Sequence, residues 1–190
     1  MIEWTGEAYR GTSYDVPLWV NPNRRSGRWN IAGEGCTQYL ALDGEAPFAE
    51  ALRHENLRTE AEVETFSTTI WQLSIHEGAV VDYSSFELAE AAGFPADALV
   101  DDDHERCQAE AQWLRDIGAR GLLVPSAALP GSVNLTLFGP RVAIRWNVRA
   151  RLAVSIPAQA LATGTAPPGL VERVRFYGEV HSGLETYVAR

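Results

Sequence analysis

The chain has 190 residues, of which 46% are hydrophobic and 22% are charged, and its formal net charge is −9. That length fits one domain, which we expect to span residues 1–190, and the apolar fraction argues against disorder and collagen-like repeats. All sixteen cationic side chains are arginine. The absence of lysine excludes a Walker A phosphate loop, a pyridoxal-phosphate Schiff base and a Ser-x-x-Lys nucleophile pair.

The sign of the charge changes along the chain. Residues 1–30 carry +1, residues 31–116 carry −15 and residues 117–190 carry +5. An acidic total argues against general nucleic-acid binding, which needs a basic face. The arginines near the two ends are either solvated surface residues or, if they converge, a pocket for a phosphorylated small molecule.

Two compositional features bear on the cellular compartment. Cys36 and Cys107 are too few for a disulfide framework and are expected to be buried thiols. No segment reaches the ~18 apolar residues that span a bilayer, and the first residues do not resemble a secretory signal. We therefore expect a cytoplasmic protein without a membrane partner.

In the first half of the chain, strand patterns alternate with turn-rich segments and one helix pattern. In chain order we predict a strand at 7–10, a long loop at 16–35, a strand at 37–42, a helix from Ala46 to about Arg58, and strands at 68–75 and 79–82 separated by a turn at Glu77-Gly78. Pro47 falls in the first turn of the helix, where its missing N–H costs nothing.

The second half begins with helices and continues with strands. In chain order we predict a helix capped by Ser84 or Ser85 that runs to Ala92, a helix at 104–117, strands at 121–124, 134–138, 142–146 and 152–156, a short helix at 157–162, and a last strand at 185–188. The two strands around Gly139-Pro140 are predicted to form a hairpin. The pattern indicates an α+β domain with a twisted, mostly antiparallel sheet and flanking helices.

Common catalytic motifs are absent from the sequence. Gly33-Glu34-Gly35 begins like a dinucleotide fingerprint, but Gln38 occupies the third glycine position and a strand follows instead of a helix. No serine lies in a G-x-S-x-G motif, and no histidine is part of an H-E-x-x-H motif. A Ser-His-Asp triad stays open, because its members need not be close in sequence.

Four segments place polar residues beside aromatic residues and glycines at junctions between loops and strands. They are Tyr9-Arg10, Gly27-Arg28-Trp29-Asn30, residues 37–41 leading to Ala49-Glu50, and Pro125-Ser126 followed by Asn134. The strings YRG, GRWNIAGEG, YLALDGEAPFAEALRHE and GARGLLVPSAALPGSVNLTLF resemble the RES domain, which is named for its Arg, Glu and Ser. The resemblance covers roughly residues 7–147, and the order of the motifs makes it specific.

The resemblance implies a function and a fold. RES proteins are bacterial toxins of toxin–antitoxin pairs, with an Xre-type helix-turn-helix antitoxin, so a toxin–antitoxin hetero-oligomer is expected. Their fold is similar to that of ADP-ribosyltransferases, and their activities consume NAD+ by hydrolysis, by phosphorolysis or by ADP-ribosylation of a protein. NAD+ is then the substrate, inorganic phosphate a possible co-substrate, and no cofactor or metal is expected.

The candidate residues suit cleavage of the nicotinamide–ribose bond. That reaction needs a clamp on the pyrophosphate, a stack on the departing ring and a carboxylate that stabilises an oxocarbenium-like ribose. Arg10 and Arg28 suit the clamp, and Tyr39 offers a stacking face with a hydroxyl group. Glu50 can accept a hydrogen bond from a ribose hydroxyl and interact more strongly as positive charge develops.

The remaining candidates are expected to orient the substrate. Ser126 and Asn134 would position the substrate or the incoming nucleophile, and Trp29 would wall the adenine or nicotinamide side. The predicted catalytic residues are Arg28, Tyr39, Glu50 and Ser126, and the predicted NAD+-binding residues are Arg10, Trp29, Asn30 and Asn134.

Each candidate also has an ordinary structural interpretation. Glu50 can pair with Arg53 or His54 on an exposed helix face, and Arg28-Trp29 can be a surface cation–π pair. Tyr39 can be a simple strand aromatic and Ser126 a turn residue. Two other functions therefore compete with an NAD+-degrading toxin: a protein ADP-ribosyltransferase that uses the same pocket, and an inactive module whose acidic middle section binds a basic partner.

Overall fold

The computed structural model describes residues 1–144 and 154–190. Within these ranges the elements in chain order are β1 (Ile2–Thr12), β2 (Thr37–Ala41), α1 (Ala46–Glu55), α2 (Glu60–Val63), β3 (Thr68–Asp82), α3 (Phe86–Ala91), α4 (Glu105–Asp116), β4 (Gly121–Pro125), β5 (Val133–Phe138), β6 (Arg141–Ile144), β7 (Val154–Gly164) and α5 (Ser182–Val188), with single 3-10 turns at Asp97–Leu99 and Val171–Arg173.

The seven described strands form one sheet with the order β1-β2-β5-β4-β3-β7-β6. Because β1 also pairs with β3, the strands β1, β2, β5, β4 and β3 close a ring. Most of the pairings are antiparallel; β3 with β4 and β6 with β7 are parallel. The predicted mixture of helices with a largely antiparallel sheet is confirmed at this level.

Local sequence signals define the ends of several helices as predicted. Helix α1 carries Pro47 in its first turn and ends at Asn56, whose left-handed backbone (φ 55°) turns the chain before Arg58. The Ser85 side chain accepts a hydrogen bond from the Leu88 N–H and caps α3. Helix α4 is followed by Gly118 at φ 88°, a conformation that favours glycine.

Three predicted elements are wrong. The turn at Glu77-Gly78 does not interrupt β3, because Ala79 adopts φ 54° and the register against β1 shifts, so that a bulge absorbs the irregularity. The short helix predicted at 157–162 belongs to strand β7, since β3 offers it a partner along residues 68–73. The last predicted strand, 185–188, lies in helix α5, whose N-terminus is capped by the His181 ring.

The predicted hairpin around Gly139-Pro140 is also wrong. Strand β5 pairs with β2 and β4, whereas β6 pairs in parallel with β7. Between the two strands, Gly139 takes φ 90°, a left-handed conformation that favours glycine. The strands predicted at 142–146 and 152–156 fall partly on residues 145–153, which lie outside the described ranges.

The segment after β7 packs against α1. Leu170, Val174 and Phe176 share one buried cluster with Ala49 and Leu52 of that helix. The C-terminal residues thereby support the helix that carries Glu50. Both cysteines are buried free thiols, as predicted. Among the helices in the described ranges, none is long and apolar enough to cross a bilayer.

Candidate active site

A cavity of about 350 Å³ opens between β1, β2, α1 and the loop that precedes β2. Six of the eight predicted site residues line it: Arg10, Arg28, Trp29, Tyr39, Glu50 and Asn134. The other two, Asn30 and Ser126, are buried behind this lining and bind residues that belong to it. The fold therefore brings together all four sequence segments that were singled out.

Glu50 projects from α1 and is held by two hydrogen bonds. Its Oε1 accepts from Asn134 Nδ2 at 2.9 Å and from Ser126 Oγ at 3.2 Å. The suggestion that Glu50 forms a surface pair with Arg53 or His54 is wrong within the described residues, because the ion pair of Arg53 is with Asp102. Two neutral donors therefore orient the carboxyl group, which has no direct ion pair among the described residues.

Ser126 is fully buried and holds the turn after β4. Its Oγ accepts hydrogen bonds from the N–H groups of Ala128 and Leu129 while it donates to Glu50. The His181 ring bonds to the carbonyl oxygen of Ser126, not to its hydroxyl. In the part of the chain that the structure describes, Ser126 is thus not paired with a histidine base as a serine nucleophile is.

Tyr39 fixes the loop before β2. Its hydroxyl donates to Asn30 Oδ1 at 2.8 Å and accepts from the Trp29 N–H at 2.9 Å. Burial raises the pKa of Tyr39, so the phenol stays protonated. A Cβ at Gly27 would lie 2.7 Å from this hydroxyl, and the close approach therefore requires glycine. Asn30 contacts the cavity lining through the Tyr39 hydroxyl and through backbone hydrogen bonds with Gly27.

Trp29 is 1% exposed and belongs mainly to the core. Its ring packs against Phe94 with the centroids 6.1 Å apart. The Trp29 ring, which we predicted to contact a substrate ring, thus packs mainly in the core, although Trp29 still lines part of the cavity. No cation–π contact between Arg28 and Trp29 occurs among the described residues.

Two predicted arginines stand on the cavity wall with anchored guanidinium groups. Arg28 donates to the carbonyl of Asp101 at 2.6 Å, in the segment that leads into α4. Arg10 donates to Gln38 Oε1 at 3.2 Å and lies over the Trp19 ring at 3.8 Å. Burial lowers the pKa of Arg10 to about 9, so it remains cationic at neutral pH.

The lining residues that the sequence reasoning missed include Arg53, His104 and Tyr177. Arg53 follows Glu50 by three residues on α1, and helical spacing alone could have placed both on one face. Burial, together with the charges of Arg28 and Arg53, lowers the pKa of His104 to about 4. Tyr177 lies far along the chain and has no local signal.

A comparison of the sequence with models of protein families identifies the class to which this fold and cavity belong. The model for the RES domain matches residues 5–156, and the chain belongs to this family. No group of three or more His, Cys, Asp or Glu residues in the described ranges is arranged to hold a metal ion.

The chain is also similar to named proteins. The protein named NAD(+) phosphorylase MbcT, from Mycobacterium tuberculosis and from Mycobacterium bovis, is 28% identical over 138 residues, which cover 70% of this chain and 73% of the relative. The crystal structure of the M. tuberculosis MbcT-MbcA toxin–antitoxin complex contains a chain similar to this one, with a TM-score of 0.61, 26% identity, and coverage of 92% of this chain and 91% of that chain.

Proposed function

We propose that this protein is a toxin that degrades NAD+ by cleaving the nicotinamide–ribose bond, with inorganic phosphate or water as the acceptor. The observation that carries the proposal is the position of Glu50, which Asn134 and Ser126 hold on the wall of a cavity that three arginines also line. The family membership and the name of the MbcT relatives support the same chemistry.

The charges of the cavity suit a dinucleotide. NAD+ carries an anionic pyrophosphate and a cationic nicotinamide ring, and guanidinium groups bind phosphate through a two-pronged fork. Arg10 supplies such a group from β1 and Arg28 from the loop before β2, and hydrogen bonds already anchor both side chains. The anchoring lowers the entropy that a clamp would lose on binding.

Glu50 provides the catalytic charge in this proposal. As the C–N bond to nicotinamide breaks, the electron pair stays with the ring nitrogen and positive charge moves to the ribose. A fixed carboxylate stabilises that charge more strongly in the transition state than in the ground state, which is the condition for rate acceleration. Nicotinamide leaves as a neutral molecule, so the reaction needs no strong general acid.

The family membership also supports proposals about the protein partner and the cellular compartment. We propose that a cognate antitoxin of the Xre type binds the protein and neutralises it, and that the fold is similar to that of ADP-ribosyltransferases. The solved complex of the relative with its antitoxin supports a protein partner. We further propose that NAD+ is a substrate, not a resident cofactor, and that the protein acts in the cytoplasm.

The test is NAD+ turnover by the purified protein with identification of the products. We expect release of nicotinamide together with either ADP-ribose or ADP-ribose phosphorylated at the ribose C1, and the ratio of the two products should change with the concentration of phosphate. A folded protein that leaves NAD+ intact with and without phosphate would refute the proposal. Transfer of adenine-labelled ADP-ribose to a macromolecule would indicate a protein ADP-ribosyltransferase instead.

A further inference from the structure

Arg53 is a buried cation on the cavity wall with unused hydrogen-bonding capacity. Its side chain is 4% exposed, and its guanidinium makes one hydrogen bond among the described residues, from Nη2 to Asp102 Oδ1 at 2.6 Å. The Nε atom is buried without a partner in the same part of the chain. Because a guanidinium has five N–H donors, several of them have no partner among the described residues, and Arg53 lines the cavity where a ligand can reach the group.

The surroundings of Arg53 hold the group rigidly. The Tyr177 ring stacks on the guanidinium, with Cζ 4.3 Å from the ring centroid. Asp102, which fixes one end, is itself bound by Arg175 at 2.7 Å and by the Gly178 N–H at 2.6 Å. Arg175 thus balances the charge of Asp102, and the cationic character of Arg53 is left for another partner. An orphaned donor in a rigid setting is typical of a binding site.

Arg53 also lies where an acceptor must approach. It follows Glu50 by three residues in α1, so both side chains leave the same face of the helix. Burial lowers the pKa of Arg53, whereas the charge of Glu50 opposes that shift. An anionic nucleophile next to the ribose would be repelled by Glu50 alone. A neighbouring guanidinium offsets this repulsion.

A second cation contributes to the same region of the cavity. The charges of Arg28 and Arg53 both act on His104, which also lines the cavity. Two guanidinium groups around one imidazole make a positive region, and an oxyanion is the ligand that such a region binds best. The imidazole is neutral at pH 7 and has one N–H that can be donated to the anion.

We propose that Arg53 binds the inorganic phosphate that accepts the ADP-ribosyl group, and so favours phosphorolysis over hydrolysis. This inference rests on the proposed function of the site. In the step, an oxygen of the phosphate dianion forms a bond to the ribose C1 as the bond from C1 to nicotinamide breaks. Nicotinamide leaves with the electron pair, and the product is ADP-ribose with phosphate on C1. No proton has to be removed from the dianion, whereas water would need a base.

The phosphate bound by Arg53 can have two sources: the free acceptor, or the pyrophosphate of NAD+. The position beside Glu50 favours the acceptor, because the proposed function places the ribose at Glu50, on the same helix as Arg53, whereas Arg10 lies on β1. Steady-state kinetics distinguish the two sources. Loss of an acceptor contact raises the KM for phosphate, whereas loss of a pyrophosphate contact raises the KM for NAD+.

The first variant is Arg53→Gln, which removes the charge while Asp102 keeps its pairing with Arg175. We expect the KM for phosphate to rise at least about tenfold, as for loss of a charge-assisted hydrogen bond. The rise in the KM for phosphate should exceed any change in the KM for NAD+ by at least about threefold. Arg53→Lys keeps the charge but not the fork and should recover part of the affinity for phosphate.

The matched control is Arg58→Gln. Like Arg53, Arg58 pairs with a carboxylate, Glu179 at 2.7 Å, and stacks on an aromatic ring of the C-terminal segment, Phe176 at 4.3 Å, but it does not line the cavity. We expect the control to leave the KM for phosphate unchanged. An unchanged KM for phosphate in Arg53→Gln, or a rise confined to the KM for NAD+, would overturn the proposal.

A direct binding measurement keeps the test independent of turnover and of the stability of the variant. Inorganic phosphate is titrated into the wild-type protein without NAD+, and the arginine Nε–H signals are followed by NMR. We expect the Arg53 signal, assigned from its loss in Arg53→Lys, to shift with phosphate but not with chloride at equal ionic strength. A signal that does not shift overturns the proposal even if NAD+ is cleaved. If NAD+ is not cleaved but the signal shifts, the proposed function fails and the anion site stands.

Discussion

Replacing Glu50 by glutamine removes the charge of the side chain and little else. The Oε1 atom of glutamine can still accept the hydrogen bonds that now come from Asn134 at 2.9 Å and Ser126 at 3.2 Å. The change therefore isolates the electrostatic contribution of the carboxylate. Any loss of activity then measures how strongly that charge stabilises the positive ribose of the transition state.

The expected magnitude follows from Coulomb's law. At a separation of about 4 Å and an effective dielectric constant of about 20, two unit charges interact by about 4 kcal/mol. Because only part of a unit charge moves from the nicotinamide ring to the ribose, we expect a loss of about 2–4 kcal/mol. That loss corresponds to a fall in kcat of roughly 30- to 1,000-fold.

The assay is nicotinamide release by purified Glu50→Gln at saturating NAD+, with circular dichroism to show that the fold is retained. The matched control is Glu55→Gln, which changes an exposed carboxylate at the end of the same helix and should leave kcat unchanged. If kcat of Glu50→Gln stays within about threefold of the wild type, the catalytic role assigned to this charge is wrong.

The remaining predictions concern the loop around Tyr39 and the titration of His104. Tyr39→Phe should lower the free energy of unfolding by about 1–3 kcal/mol, because the Trp29 N–H and Asn30 Oδ1 each lose a partner; an unchanged urea midpoint would contradict this. Gly27→Ala should displace the Tyr39 hydroxyl, which lies 2.7 Å from the new Cβ, and should lower kcat/KM for NAD+; full activity would show that the loop yields easily. The lowered pKa of His104, about 4, predicts an imidazole that is neutral at pH 5.5 by NMR. In the unfolded chain the His104 imidazole binds its proton at a higher pH than in the folded protein. The contribution of the neutral imidazole to the free energy of unfolding is therefore full above about pH 6.5 and is lost as the pH falls toward 4. A titration midpoint near 6.5 would contradict the buried environment described for His104.

Much of the fold was predictable from local signals. Pro47 marked the start of α1, Ser85 capped α3, and the run Gly121–Pro125 formed the buried strand β4. Each of these signals acts within a few residues, so no knowledge of the tertiary structure was needed. The elements that were predicted wrongly are those whose secondary structure depends on contacts with residues distant in the sequence. Residues 157–162 are a strand because the edge of β3 is available to them, and residues 185–188 are helical and pair with none of the described strands.

The candidate site shows the same division. Arg10, Arg28, Tyr39 and Glu50 lie in motifs with recognisable order, and the fold brings them to one cavity. Sequence reasoning could not foresee that Trp29 turns its ring into the core against Phe94, since an aromatic residue beside a cation is compatible with either placement. Burial is a property of the assembled chain.

The sequence by itself indicated the family, the residues that meet at the cavity and one firm constraint: without lysine, any cationic side chain that binds a phosphate must be an arginine or a protonated histidine. Only the tertiary structure decided which arginines line the cavity. Arg53 gained its place on the cavity wall through Asp102 and Tyr177, which lie 49 and 124 positions further along the chain. The reason is that contacts between residues so far apart are fixed by the packing of the C-terminal segment on α1, and local sequence patterns carry no record of that packing.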